Sequence, residues 1–121
     1  MTYVDGFILP LPAGNEEAYR KDATLWLEVM KDFGLLRYCE AVSDDVPHGE
    51  VTDFYRAVAA QPSERIVFAF AVWPDKMTRD RAWKEGMNDP RMQGHGEAPH
   101  VFDGKRLVYG GFAPLFEYRL E

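Results

Sequence analysis

The segment 66–73 reads IVFAFAVW, eight consecutive apolar residues between Arg65 and Pro74. Eight residues is the usual length of a strand and is short for a helix. Because alternate side chains of a strand point to opposite sides of the sheet, both sides of this strand have to be covered. The segment therefore predicts a central strand with packing on each side, and it constrains the fold more than any other part of the chain.

The most regular pattern in the chain is helical. Apolar or aromatic residues recur at spacings of four, three, four and three, as on one face of an α-helix: Tyr19, Ala23, Trp26, Met30 and Phe33. Asn15 stands at the N-cap position, and Glu16 and Glu17 place negative charge on the first turn, where it is favourable. Gly34 stands where a left-handed C-cap is expected. The pattern predicts a helix between Asn15 and Gly34.

The remaining segments complete an α+β order. Three further strands are predicted at residues 3–9, 35–42 and 106–112. We expect Pro10 and Pro12 to end the first strand, and the dipeptide Asp103-Gly104 to form a tight turn before the last one. A second helix is predicted from Asp75 to about residue 88; its buried side would hold Met77, Trp83, Gly86 and Met87. Segment 44–60 is interpreted as an excursion with a short helical turn or an irregular edge strand.

The order β-α-β-β-α-β predicts a single ferredoxin-like α+β sandwich over residues 1–121, with a four-stranded antiparallel sheet. Two helices cover one side of such a sheet and leave the other side open. Apolar residues make up 46% of the chain, and the strands carry them on both sides. The sequence therefore predicts a homodimer in which a second copy covers the open side. A small molecule or the C-terminal segment is the alternative cover.

The net charge of the chain limits the classes of partner that it is expected to bind. The formal net charge is −6, which disfavours binding to nucleic acid or to an anionic membrane surface. No apolar run approaches the roughly 18 residues of a transmembrane helix. The first twelve residues have neither a basic segment nor a small-residue cleavage site, so we expect a cytoplasmic protein.

Several short motifs resemble the YbaA-like family of uncharacterised bacterial proteins, the domain of unknown function 1428 in the dimeric α/β-barrel superfamily. The matching segments are 3–7, 44–47, 51–54, 56–58, 73–74 with Lys76, 79–80, 89–92, 102–106 and 109–112. The resemblance implies a ferredoxin-like subunit and a two-fold dimer whose sheets face each other, a dimeric α/β barrel. It implies no established activity, and the segment 93–100 departs from the family pattern.

Metal, thiol and cofactor chemistry are not favoured. His95 and His100 are five residues apart in a glycine-rich segment, which is not the i, i+4 spacing of helical metal ligands. Solvated loop histidines are the favoured interpretation, and a metal site that includes Glu97 is the alternative. Cys39 is expected to be a buried, inert thiol. Since all three histidines fall in predicted loops, haem ligation is also disfavoured, and we expect no cofactor and no metal.

Asp5 is the polar residue that least suits its position. It lies inside the first predicted strand, beside Gly6. If its side chain faced a cavity, burial would raise its pKa and suit it to act as a general base. The alternative is an ion pair with an arginine such as Arg37, Arg56 or Arg106. Both readings stay open at the level of the sequence.

Two functional hypotheses follow. In the first, the protein binds or transforms a small apolar or anionic metabolite in a pocket of the homodimer; Asp5 would be the base, Trp73 and Tyr109 the walls, and Arg56 or Arg106 the anchor for an anionic group. This extends what related folds do, which is a weak basis for function. In the second, the protein is a non-catalytic homodimer that serves a structural or protein-interaction role.

Overall fold

A computed structural model describes residues 1–93 and 100–120. The helices and strands are β1 (Tyr3–Pro12), α1 (Glu16–Met30), β2 (Arg37–Val42), α2 (Phe54–Ala57), β3 (Glu64–Trp73), α3 (Lys76–Arg81) and β4 (Val108–Phe112). The strands form one sheet in the order β2-β3-β1-β4, with every neighbouring pair antiparallel. The predicted ferredoxin-like α+β fold is confirmed, and α2 is the short helical turn expected within 44–60.

The first strand was predicted to close after Leu9, which was wrong at Pro10, because Pro10 lies inside β1; the strand does end at a proline, Pro12. The backbone N–H of Ala13 donates to the carbonyl of Ser63 at 3.1 Å, so the odd-numbered residues here turn their N–H groups toward β3. The two prolines therefore face the opposite edge. β4 pairs with β1 only as far as Ile8, so no ladder hydrogen bond is lost at either proline.

Helix α1 begins and ends close to the predicted positions. Asn15 precedes it but makes no side-chain cap; its Nδ2 donates instead to the Val101 carbonyl at 2.8 Å. A 3₁₀ turn (Lys31–Phe33) follows the helix, and Gly34 then adopts φ 103°. A Cβ at Gly34 would lie 2.6 Å from Thr78 Cγ2, so both the backbone conformation and the close packing require glycine.

The second helix is shorter than predicted, and its buried side differs. α3 ends at Arg81 and continues as a π-helical turn over Ala82–Gly86. Met77 is 82% exposed and Met87 is also exposed, so their predicted burial was wrong. The wider π turn changes which residues face inward, and it carries Ala82 and Gly86 into the core with Trp83 partly buried beside them.

The main core lies between the helices and one side of the sheet. Trp26, Val29 and Met30 of α1 pack with Ala71 and Trp73 of β3 in one cluster. The small side chain at Ala71 leaves room for the large indoles. Burying an indole removes roughly 150–250 Å² from water, which stabilises the fold by about 4–6 kcal/mol before entropic costs.

The other side of the sheet, here called the open face, is only partly covered. Helix α2 lies against it, and Phe54 packs edge-on against Phe68 with ring centroids 6.1 Å apart. Phe68 nevertheless remains 48% exposed, and Val108 and Phe112 of β4 are exposed as well. Cys39 is exposed in the single chain, so the prediction of a buried thiol was wrong; the alternation of β2 places it on the open face.

Two strand boundaries also differ from prediction, because local turns take up the residues next to them. β2 begins at Arg37, two residues after the predicted start. The tight turn at Asp103-Gly104 is confirmed as a 3₁₀ turn (Gly104–Arg106), in which the Asp103 side chain accepts from the Lys105 N–H, and β4 begins only at Val108. Among residues 1–93 and 100–120, no helix is long and apolar enough to cross a membrane.

Candidate functional site

Asp5 is buried at the centre of the helix-facing side of β1, with only 2% of its surface exposed. The indole N–H groups of Trp73 and Trp83 both donate to its Oδ2, each at 2.9 Å. Arg79 donates from Nη2 to Oδ1 at 2.7 Å and from Nε to the same oxygen at 3.0 Å. The carboxylate therefore has a permanent positive partner and two further donors.

The surroundings of Arg79 are built to hold this pair. The guanidinium lies over the ring of Tyr3, 5.3 Å from its centroid. Gly111 of β4 stands directly opposite Asp5 in the sheet, and a Cβ there would come within 2.9 Å of Arg79 Nη2 and 2.5 Å of the Tyr3 hydroxyl. Asp5 thus forms an ion pair with an arginine, as one of the two interpretations predicted. The arginine is Arg79 and not one of the three suggested by the sequence.

The structure separates the four predicted binding residues. Trp73 is fully buried and hydrogen-bonded to Asp5, so only these two predicted site residues lie together. Arg56 lies in α2 and donates to the backbone carbonyls of Gly49 and Glu50. These contacts hold the 44–60 excursion together, and the ligand-binding role of Arg56 stays a prediction.

Arg106 and Tyr109 lie nearer the other edge of the sheet. Arg106 donates from Nη2 and Nη1 to the two carboxylate oxygens of Glu64, at 2.7 and 2.8 Å, and thereby fastens the turn before β4 to the start of β3. Its guanidinium lowers the pKa of Glu64. Tyr109 is 68% exposed on the edge strand. Their predicted roles toward a ligand stay predictions.

A second carboxylate on the helix-facing side has a different environment. Glu40 of β2 accepts a hydrogen bond from the Tyr19 hydroxyl at 2.6 Å on Oε1 and another from the Tyr38 hydroxyl on Oε2. Burial raises the pKa of Glu40 above its ordinary value of 4.5, and the two hydroxyl donors offset only part of that rise. Burial, followed by the charge of Glu40, raises the pKa of both tyrosines.

Glu40 lines a cavity of about 210 Å³ between α1 and the sheet, here called the inner cavity. Its described lining is dominated by aromatic and aliphatic side chains: Phe7, Leu9, Tyr19, Asp22, Ala23, Trp26, Tyr38, Glu40, Trp83, Phe102 and Leu107. A second depression of about 420 Å³, the outer cavity, adjoins it and shares four residues with it: Tyr19, Ala23, Tyr38 and Glu40. Glu40 and its two tyrosines therefore stand where the two spaces meet.

The sequence reasoning missed this site. The sequence analysis assigned Glu40 no role within the predicted strand 35–42, although Tyr38, Glu40 and Val42 share one alternation and hence one side of the sheet. A carboxylate on the side that faces a helix is the signal that identifies it. Tyr19 also belongs to the apolar stripe of α1, so a strand and a helix each direct one hydroxyl toward the same point.

The histidines were the metal ligands considered from the sequence. Within residues 1–93 and 100–120, no cluster of three histidine, cysteine, aspartate or glutamate side chains is placed to hold a metal ion. His48 stacks on Tyr55 with ring centroids 4.3 Å apart. His100 is exposed, whereas His95 and Glu97 lie outside the described residues.

The sheet order and the helix layer define a ferredoxin-like α+β subunit. A candidate antibiotic biosynthesis monooxygenase from Bacillus cereus superposes with a TM-score of 0.56 over 98% of each chain, at 8% identity. A dimeric ferredoxin-like protein from an uncultured marine organism gives a TM-score of 0.52 over 97% of this chain and 98% of its own, at 12% identity. At such identities the likeness establishes the fold alone.

Sequence similarity assigns the chain to a particular family within this fold. The family described as "Protein of unknown function (DUF1428)" matches residues 2–104. The uncharacterized protein YbaA of Escherichia coli K12 is 45% identical over 117 residues, which cover 97% of this chain and 99% of YbaA; YbaA of Shigella flexneri matches equally. The chain belongs to this family, as its motifs predicted, and its fold is compatible with binding a small molecule.

Proposed function

We propose that the protein binds a small, largely apolar organic molecule in the inner cavity, where Glu40 accepts a hydrogen bond from it. The observation that carries the proposal is a half-buried carboxylate held by two phenols at the wall of an aromatic cavity. Binding sites for small molecules commonly combine a mostly apolar lining with a few convergent polar groups.

The geometry of Glu40 leaves it able to bind a ligand. Tyr19 and Tyr38 donate to different carboxylate oxygens, and each oxygen of a carboxylate can accept two hydrogen bonds. Each oxygen thus keeps acceptor capacity for a donor on a bound molecule. A group with a raised pKa is also suited to take up a proton, so transformation of the ligand by proton transfer is compatible with this site.

Of the apolar and anionic ligands that the sequence suggested, this cavity favours the apolar one. Glu40 and Asp22 both contribute carboxylates to the lining. An anionic ligand would approach two negative charges, whereas the two arginines predicted as anchors hold backbone carbonyls and Glu64 elsewhere. We expect the ligand to lack a carboxylate or phosphate group.

Filling the cavity tests the proposal. Ala23 of α1 lines both cavities, whereas Ala18 of the same helix is exposed. In saturation-transfer NMR with 2-naphthol, indole and cinnamyl alcohol, we expect binding by the wild type and the Ala18→Trp control, and loss of binding in Ala23→Trp. Failure of all three probes to bind, or binding that survives Ala23→Trp, would contradict the proposal.

The open face supports a second proposal, assembly as a homodimer. Phe68, Val108 and Phe112 are exposed on it, and the chain beyond β4 exposes further large apolar side chains: Leu115, Phe116, Tyr118 and Leu120. Leaving a large apolar side chain in water forfeits about 1.5–3 kcal/mol, so a second copy is the simplest cover. A dimer with an empty, ligand-free cavity would favour the non-catalytic structural or interaction role.

Light scattering tests the assembly. We expect a mass near twice the 13.9 kDa of one chain for the wild type and for the control Met77→Glu, which changes an exposed residue of the helix layer. Phe68→Glu should shift the mass toward one chain. A wild-type protein that stays at the mass of one chain at all concentrations would contradict the proposal.

A further inference from the structure

We propose that the natural ligand of the inner cavity is an organic cation, an alkylated ammonium or protonated amine joined to an apolar body. This inference rests on the proposed function, since it specifies the chemical class of the molecule bound there. It is drawn from three observations: the number and arrangement of aromatic rings, the sign of the charges in the lining, and the partners of Glu40.

The first observation is the aromatic character of the lining. Six of the described lining residues are aromatic: Phe7, Tyr19, Trp26, Tyr38, Trp83 and Phe102. Trp26 lies 4.9 Å from Tyr38 and 5.7 Å from Trp83 between ring centroids, with interplanar angles of 46° and 53°. The rings that line the cavity therefore differ in orientation. The negative faces of aromatic rings attract cations, and cages of this kind recognise alkylated ammonium groups.

The second observation is the charge of the lining. Glu40 and Asp22 are the charged residues of the inner cavity among the part of the chain that the structure describes. The segment 94–99, which lies outside that part, contains neither lysine nor arginine. The positive groups near the adjoining outer cavity are already engaged: Arg20 pairs with Glu17, and Arg65 pairs with Glu16. The inner cavity therefore offers negative charge without a built-in cation.

The third observation concerns the partners of Glu40. The donors that the structure gives it are two neutral hydroxyls, on Tyr19 and Tyr38. Burying a charge is unfavourable unless it is paired, and a neutral ligand would remove Glu40 further from water without supplying a counter-charge. A cation supplies that charge at the point where the aromatic rings converge. The cavity is thus electrostatically complementary to a cation and to no other charge type.

The charged groups around Glu40 determine how binding responds to pH. Helix α1 contributes Tyr19 and Asp22 at the inner cavity, and Glu16 and Arg20 at the outer one; β2 contributes Tyr38. The lining residues of β1 and β3 are apolar in both cavities. A bound cation favours the ionised form of Glu40, so binding should release a proton from any protonated Glu40, and affinity should fall as the pH decreases.

A pair of isosteric probes tests the charge directly. Choline carries a trimethylammonium group, and 3,3-dimethylbutan-1-ol has the same shape with a neutral carbon in place of nitrogen. Using titration calorimetry on the full chain, we expect choline to bind on the order of tenfold more tightly than the alcohol. The choline enthalpy should also depend on the ionisation enthalpy of the buffer near the pKa of Glu40, because a proton is released.

Variants separate the contributions of the carboxylate and the rings. Glu40→Gln should lower the choline-to-alcohol ratio severalfold, leaving the part that the aromatic rings supply, and remove the buffer dependence. Phe102→Leu, at the edge of the cavity, should weaken choline severalfold and leave the alcohol nearly unchanged. Glu85→Gln removes an exposed carboxylate of the π turn and should leave both affinities as in the wild type.

The outcomes distinguish this inference from the proposed function. Equal binding of the two probes by the wild type overturns the cationic ligand and leaves the binding cavity in place. Binding of the neutral aromatic panel without binding of choline overturns the cation in the same way. A ratio that is unchanged in Glu40→Gln overturns the part assigned to Glu40 in recognising the cation. If the panel does not bind the wild type, the proposed function fails as stated, and if neither isostere binds either, both proposals fail together.

Discussion

Asp5 and Glu40 are two carboxylates on the same side of the same sheet, and they differ in what surrounds them. They stand opposite consecutive small residues of β3 on that side, Asp5 beside Ala71 and Glu40 beside Ala69. Asp5 meets the guanidinium of Arg79 and two indoles. Glu40 meets two phenols and an open cavity.

The difference shows how one sheet can hold, side by side, a carboxylate that is paired with an arginine and a carboxylate that faces a cavity. Asp5 has its counter-charge within the chain, so its free energy is tied to correct packing of β1, β3, α3 and the π turn. Glu40 has two hydroxyl donors and no counter-charge among the residues that the structure describes, so a cationic ligand of the kind we propose would supply one. Trp83 belongs to both places, because its N–H bonds Asp5 while its ring lines the cavity.

The largest effect is expected at Asp5. Asp5→Ala would leave Arg79 and two indole N–H groups without their acceptor, and we expect it to lower the free energy of unfolding by about 3–5 kcal/mol in urea denaturation. Asp80→Asn is the control, since Asp80 contacts the same arginine from the exposed side and should change stability little. A small effect of Asp5→Ala would remove the distinction between the two carboxylates.

A smaller loss of stability is expected at Trp83, which contacts Asp5 and also lines the inner cavity. Trp83→Phe retains an aromatic ring and removes one donor to a buried carboxylate, so we expect a loss of about 1–3 kcal/mol. The same variant should weaken choline binding, because the ring at the cavity wall becomes smaller. Denaturation and calorimetry on one sample check both effects. A change in stability without a change in choline affinity would show that Trp83 supports Asp5 and does not contribute to ligand binding.

At Glu40 we expect the effect on stability to be small and the effect on binding to be large. Glu40→Gln removes a half-buried charge but retains an acceptor for one tyrosine, so the free energy of unfolding at neutral pH should change by less than about 1 kcal/mol. Urea denaturation checks this. A loss as large as that of Asp5→Ala would show that Glu40, too, is primarily a structural group.

The smallest expected effect is a dependence on pH. The pKa of Glu40 is raised in the folded chain, so its contribution to stability is present below the ordinary value of 4.5 and is lost as the pH rises through the raised value. The stability of the wild type relative to Glu40→Gln should therefore decrease over that window. Glu64, whose pKa is lowered, loses its contribution to stability as the pH falls below 4.5. Both proteins contain Glu64, so its contribution cancels when the stability of Glu40→Gln is subtracted from that of the wild type. A flat difference would contradict the assigned pKa direction.

The sequence was most informative where local pattern and tertiary packing agree. The run 66–73 lies within β3, the stripe from Tyr19 to Met30 lies on α1, and Gly34 ends that helical segment in the left-handed conformation. Prediction failed where the tertiary surroundings decide. Pro10 and Pro12 are tolerated because β4 stops pairing before them. Met77 is exposed because α3 turns its neighbours Thr78 and Arg79 toward Gly34 and Asp5 instead.

The candidate site was less predictable than the fold. Asp5 was singled out correctly as an unusual residue in a strand, but its arginine lies 74 positions away in sequence and could not be chosen from spacing. Glu40 was missed, since its two tyrosines come from different elements and one of them, Tyr19, looks like an ordinary core residue of a helix.

By itself the sequence determined the order of the elements, the central position of the apolar strand and the surplus of apolar surface, because these follow from periodicity and composition along the chain. Only the tertiary structure decided which carboxylate received an arginine and which was left facing a cavity. Electrostatic environment depends on which side chains meet across the sheet and helices, and that is set by packing in three dimensions, not by spacing in sequence.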